Sequence, residues 1–116
     1  MDIQELSPPE LMQRLLSNGD QIQKIGNEKS KARLEMIIAE RELANKESSI
    51  YTELCEAIRP TRLEMEIKHR AIRERETLFN KRAKFYELQD AWDTVVEVNN
   101  ALKAYIRLKE TEMHNL

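Results

Sequence analysis

From Asn27 to Leu116 the chain contains one proline, Pro60, and no glycine. A proline inside a helix removes a backbone hydrogen bond and clashes with the preceding turn, at a cost of about 3 kcal/mol. The residues on both sides of Pro60 are highly charged and favour helix, so we expect two long helices that meet there. The pattern predicts an all-α fold: an antiparallel hairpin of long helices, or coiled coil, with its corner at Pro60.

At 116 residues the chain is predicted to form a single helical domain, residues 1–116. The predicted elements are a first helical part at about 8–18, a long helix at about 20–58 and a second long helix at about 61–113. Residues 17–20 favour turns and leave two alternatives: one bent helix from about 8 to 58, or a short helix, a turn near Gly19 and a long helix. The turn residues favour the interruption.

The first helix has a clear start. Ser7-Pro8-Pro9-Glu10 predicts a capping box, with Ser7 as N-cap, proline at the first helical position and Glu10 at N3. An apolar stripe at helical spacing follows, in which the small residues Ala32 and Ala39 would allow a partner helix to approach closely. The stripe comprises Leu11, Leu15, Ile22, Ile25, Ala32, Met36, Ala39, Leu43, Ile50, Leu54 and Ala57.

The second helix, which Thr61 could cap, carries a heptad seam over about five repeats. We interpret its residues as the packing seam and oligomer interface: Leu78, Phe85, Leu88, Trp92, Val95, Asn99, Leu102 and Ile106. Asn99 is a polar residue at a seam position, which predicts a device that fixes register and oligomer state. Residues 61–77 continue the same register with Glu64, Ile67, Ala71 and Glu74, so the seam is weak beside the corner.

Several apolar residues lie off the main seam and widen the apolar face beyond what one hairpin can bury. They predict a second layer of helices and therefore a homo-oligomer, a dimer or larger, that forms a helical bundle. These residues are Phe79, Tyr86, Val96, Val98 and Tyr105.

Charge supports an antiparallel hairpin. Residues 61–84 carry eight Lys and Arg against four Glu, whereas residues 85–101 carry four acidic residues and no basic one. Folding back at Pro60 places the basic stretch beside the five glutamates of residues 40–56, and the acidic stretch beside the basic residues of 24–33. Flanking charges of this kind select the orientation of paired helices.

The sequence lacks the residue sets of common enzymes, and we predict a protein that is not an enzyme and has no cofactor and no metal site. Glu66 and His69 match the E-x-x-H spacing of di-metal helical bundles, but the seam register places both on the outer face. Cys55 is the only cysteine and has no histidine near it in the sequence, so we expect a free thiol.

The basic stretch 62–84 has two interpretations. We expect its exposed arginines to contact the carboxylates of a protein partner or the phosphates of a nucleic acid, because arginine offers a bidentate fork. The candidates are Arg62, Arg70, Arg73 and Arg75. Interleaved glutamates and the near absence of aromatic residues make nucleic-acid binding the alternative hypothesis.

No stretch reads as a membrane span or a secretory signal, so the sequence predicts a cytoplasmic protein that does not bind membranes.

Two segments of the chain are separated by the break at Pro60. The first runs from Lys31-Ala32-Arg33-Leu34-Glu35 to Glu40-Arg41-Glu42-Leu43, and the second from Glu87-Leu88 to Asn99-Asn100-Ala101-Leu102-Lys103-Ala104-Tyr105-Ile106. In this layout the chain resembles small two-helix proteins encoded in the early regions of tailed bacteriophages, among recombination and replication genes. The resemblance implies a non-enzymatic accessory protein, in the host cytoplasm, that acts on a replication, recombination or host-defence protein. We expect an adaptor that self-associates and binds another protein.

Overall fold

A computed structural model describes residues 6–114, which form three helices and no strand. They are α1 (Pro8–Leu54), α2 (Pro60–Arg70) and α3 (Ile72–His114). The predicted all-α hairpin is confirmed. The contacts divide the chain into two compact units: a corner unit, residues 30–87, and an end unit, whose described residues are 6–29 and 88–114.

Helix α1 begins at the predicted capping box. The backbone N–H of Glu10 donates to Ser7 Oγ at 3.4 Å, and the N–H of Ser7 donates to the Glu10 carboxylate at 3.3 Å. The first two helical residues are prolines, and they stand at positions where a backbone N–H would have no partner inside the helix.

The predicted interruption near Gly19 is wrong, because α1 is continuous through residues 17–20. Gly19 has no positive φ angle, and a single glycine costs a helix only about 1 kcal/mol relative to alanine. Leu15, Asn18 and Ile22 are half-buried on one face, so packing continues through the segment and outweighs its turn preference.

The corner covers residues 55–59, so α1 ends four residues before the predicted boundary. The N–H groups of Ala57 and Ile58 both donate to the Leu54 carbonyl, at 3.0 and 3.1 Å, which tightens the chain into a turn. Arg59 is the N-cap of α2 in an extended conformation with no side-chain cap bond, and Pro60 is the first helical residue. The predicted cap at Thr61 is therefore wrong: a residue before proline is driven to extended backbone, and that residue starts the helix.

The second helix is divided at Ala71, where one continuous helix from 61 to 113 was predicted. Ala71 has φ −97° and ψ 15°, yet its N–H still donates to Ile67 and its carbonyl still accepts from Arg75. The backbone therefore departs from helical geometry without losing its hydrogen bonds. Ala71 itself is fully buried, whereas the next seam residue, Glu74, is half-buried, so a charged residue follows the division in the seam.

The buried residues follow the seams of both long helices. The corner unit buries Ala32, Ala39, Ile50, Leu63, Ala71 and Leu78, and the end unit buries Leu11, Asn99 and Leu102. Half of the buried residues of the corner unit are alanines, which remove little apolar surface from water. Burial in this unit is therefore modest for its size.

Candidate functional site

In the corner unit, α1 and α3 are joined by a row of ion pairs that runs antiparallel. Arg75 pairs with Glu47 at 3.2 Å and Arg82 pairs with Glu40 at 3.5 Å, so the residue number rises along α3 as it falls along α1. We call these four residues the ion-pair row. The row matches the predicted pairing of the basic segment of α3 with the acidic segment of α1. Within the corner unit it shows which residues of the two helices lie side by side.

A third cross-helix pair joins Lys81 and Glu35. Lys81 Nζ donates to Glu35 Oε2 at 3.2 Å. This hydrogen bond, together with the charge of Lys81, holds the pKa of the Glu35 carboxyl below its ordinary value of 4.5. Lys81 occupies a seam position and is half-buried, so its alkyl chain packs in the seam while its ammonium reaches the carboxylate.

The ion pairs divide the four candidate arginines into two groups. Arg75 belongs to the ion-pair row, and Arg70 lies 3.9 Å from Glu53 and 3.7 Å from Glu66. Arg62 and Arg73 are exposed and have no ion-pair partner within residues 6–114. Two of the four guanidinium groups are therefore engaged within the fold, and two point to solvent beside the corner.

An exposed apolar ridge runs along α3 in the corner unit. Ile72, Phe79 and Tyr86 are spaced seven residues apart and are 51%, 72% and 59% exposed. We call them the α3 ridge. Each is three or four residues from Arg75 or Arg82, so the ridge lies on the helix surface next to the ion-pair row.

Helix α1 carries a matching ridge. Ile37, Ala44 and Tyr51 share the seven-residue spacing, and each lies three or four residues from Glu40 or Glu47. All three are exposed, and we call them the α1 ridge. The ion-pair row with a ridge on each side forms one surface, which we call the ridge face.

A shallow depression of about 370 Å³ confirms that both helices contribute to this face. Its walls include Leu43 and Glu47 from α1 and Arg75, Phe79 and Arg82 from α3. By the levels of the ion pairs, Phe79 is level with Leu43, so Ala44, one residue further along, is the residue of the α1 ridge nearest to the level of Phe79.

The residues predicted to form the seam and oligomer interface lie in the packing between the helices. In the corner unit Leu78 is buried and Phe85 is half-buried. In the end unit Asn99 and Leu102 are buried, and the others are half-buried: Leu88, Trp92, Val95 and Ile106. They pack within the chain itself, and their predicted role between chains stays a prediction.

The off-seam residues fall into two sets. Phe79, Tyr86 and Val98 are exposed, whereas Val96 and Tyr105 are half-buried. Sequence reasoning missed the exposed apolar residues of α1, including Leu34, Ile37 and Ile38. Their i, i+3, i+4 spacing was the available signal, but the longer buried stripe on the same helix obscured it.

Trp92 in the end unit packs against α1. The ammonium of Lys29 lies 4.2 Å from the centroid of the indole ring, a cation–π geometry. A Cβ placed on Gly26 would lie 3.4 Å from Trp92 Nε1, so the glycine leaves room for the indole edge. Lys29 therefore lies beside the acidic stretch 85–101, as predicted, and contacts the indole of Trp92 within it.

Two asparagines of the end unit have a buried side-chain atom that lacks a hydrogen-bond partner. They are Asn18, through Nδ2, and Asn99, through Oδ1. Asn18 is seven residues after Leu11, and Asn99 is seven residues before Ile106; Leu11 and Ile106 line one apolar depression together. In antiparallel helices this spacing places the two residues at about the same level.

No group of three or more His, Cys, Asp or Glu within residues 6–114 is arranged to hold a metal ion. Glu66 is half-buried and lies beside Arg70, whereas His69 is exposed. Cys55 is a free, half-buried thiol at the corner. Over the same residues, no helix is long and apolar enough to cross a membrane.

The chain matches no protein-family model, and no curated protein or solved structure is similar to it.

Proposed function

We propose that this chain is a non-enzymatic helical adaptor that self-associates and binds another protein. The observation that carries the proposal is the ridge face, on which bulky apolar side chains are spaced by heptads and exposed. Contiguous apolar patches on a protein surface are typical of protein–protein contacts. Heptad spacing favours a helical partner, since each ridge can pack into the grooves of another helix.

The ion pairs favour a protein over a nucleic acid as the partner of the basic stretch. Arg70, Arg75, Lys81 and Arg82 already lie beside glutamates of α1, so fewer positive charges are available to phosphates. Arg62 and Arg73 are the best candidates for contacts with a partner's carboxylates. The resemblance of the helix layout to phage early-region proteins supports a partner from replication, recombination or host defence.

The experiment is affinity capture from the native host with and without nuclease, followed by binding measurements on the captured protein. We expect capture to survive nuclease and Arg62→Gln/Arg73→Gln to weaken it by about tenfold or more. Arg33→Gln/Arg41→Gln is the matched control, because it removes two exposed charges of the same unit from α1. Normal binding by the corner variant would exclude these arginines, and loss of capture with nuclease would favour the nucleic-acid alternative.

A further inference from the structure

We infer that the ridge face of the corner unit is covered by the ridge face of a second copy of this chain, related by a two-fold axis parallel to the helices. This inference rests on the proposed self-association and specifies its surface and geometry. It accounts for three properties of the face: its lack of burial, its distribution of charge and the position of the small Ala44 near the level of the bulky Phe79.

The corner unit buries few large side chains, and this indicates a partner that is always present. Its buried residues are three alanines and three larger aliphatic residues, while three aromatic side chains remain more than half exposed on the ridge face. Each aromatic side chain buries roughly 150–250 Å² when fully covered, a substantial part of the ~800 Å² per partner of a standard interface. A second copy supplies this cover wherever the chain is made.

The charges select the orientation of the two copies. Residues 61–84 carry a net positive charge, and residues 40–56 carry five glutamates against two basic residues. An axis parallel to the helices sets α3 of each copy against α1 of the other, so basic segments face acidic ones. An axis across the helices would set α3 against α3, with basic segments facing each other.

The same axis places the bulky Phe79 against the small Ala44. It preserves level along the helices, so Phe79 of one copy meets Ala44 of the second copy. Ile72 then meets Tyr51, and Tyr86 meets Ile37. Arg75 and Arg82 lie beside the glutamates of the second copy as well as their own, which forms a network of alternating charges rather than isolated buried ions.

The face does not suit a nucleic acid. Its central charges are paired within the chain, with Arg75–Glu47 at 3.2 Å and Arg82–Glu40 at 3.5 Å, and the glutamates would oppose phosphates.

Sedimentation equilibrium of two matched pairs of variants tests the surface. Phe79→Asp should raise the dissociation constant of the dimer by about tenfold or more, the effect of losing an interface hot spot. Leu34→Asp is its control: Leu34 is 62% exposed against 72% for Phe79, lies in the same unit and belongs to neither ridge. Ala44→Trp should also weaken the dimer by filling the space that Phe79 occupies, whereas Ala83→Trp, on an exposed position outside the ridges, should not.

Circular dichroism of each variant keeps folding separate from association, since all four positions are exposed. A dimer that persists in Phe79→Asp and Ala44→Trp would overturn this inference and leave the proposed self-association in place. A wild-type chain that is monomeric at all concentrations tested would overturn both.

Disulfide formation tests the orientation, because Cys55 is the only cysteine and Cys55→Ser gives a background without thiols. In that background, an equimolar mixture of Phe79→Cys and Ala44→Cys chains should form a linked dimer, above the dissociation constant of the variants. Each chain alone should link far less. Efficient linking of Phe79→Cys to itself would place the axis across the helices and contradict the geometry proposed here.

Discussion

At the scale of residues, the polar side chains inside the seams contribute more to the specificity of helix pairing than to the stability of the fold. Asn18 and Asn99 each have a buried amide atom with no partner, one a donor and the other an acceptor. A buried polar group without a hydrogen bond costs about 1–3 kcal/mol. Polar residues inside a seam fix the register of paired helices at the expense of stability.

Replacing both asparagines by leucine should therefore raise the melting temperature and broaden the distribution of oligomeric states. The gain comes from removing two buried amides and adding apolar packing in the seam. Thermal unfolding by circular dichroism and light scattering on Asn18→Leu/Asn99→Leu measure the two effects. Asn100→Leu is the control, because Asn100 neighbours the seam but is exposed. A double variant that is less stable than wild type would show that the two amides stabilise the fold more than the leucines that replace them.

The Lys81–Glu35 pair gives a pH dependence with a defined sign. Because the folded chain lowers the pKa of Glu35, the pair stabilises the fold above the ordinary pKa of 4.5 and loses this effect as the pH falls through the lowered value. The melting temperatures of wild type and Glu35→Gln should therefore differ at neutral pH and converge below about pH 4.5. Glu42→Gln, at an exposed position of the same helix, controls for the loss of a carboxylate. A difference in melting temperature between wild type and Glu35→Gln that stays constant down to pH 3 would contradict the lowered pKa of Glu35.

At the scale of elements, the sequence was sufficient for helix type, for helix phase and for the start of α1, but not for the helix ends near the corner. The capping box, the heptad phase of α3 and the opposition of charges were all predictable, since each depends on spacing along one helix. The end of α1 at Leu54 and the division at Ala71 depend on how the corner packs, which no local pattern contains. The sequence predicted only part of the ridge face. Phe79 and Tyr86 were recognisable as apolar residues off the seam, whereas Ala44 and Ile37 are recognisable as part of the same surface only when α1 is aligned with α3.

The error at Gly19 has the same origin, because tertiary packing overrode a local turn preference. Gly19 is helical, and a Cβ placed there meets nothing within 4 Å. Gly19→Ala should therefore stabilise the fold by about 0.4–1 kcal/mol by reducing the freedom of the unfolded chain. Chemical denaturation measures this difference, and Gly19→Pro should act in the opposite direction by breaking the helix. Destabilisation by Gly19→Ala would indicate a turn at this position.

At the scale of the whole molecule, the limiting property is how little apolar surface is buried. Nine residues are buried within residues 6–114, and the same residues expose thirteen large hydrophobic side chains. Long helices gain most of their stability from packing against other helices rather than from intrinsic propensity. We therefore expect the corner unit to gain stability from self-association through the ridge face.

Sedimentation equilibrium of the wild-type chain over a range of micromolar concentrations tests this central claim most directly. We expect a species of twice the 13.7 kDa chain mass that dissociates on dilution and whose melting temperature rises with concentration. A species that stays at 13.7 kDa at every concentration and melts in one cooperative transition would contradict it.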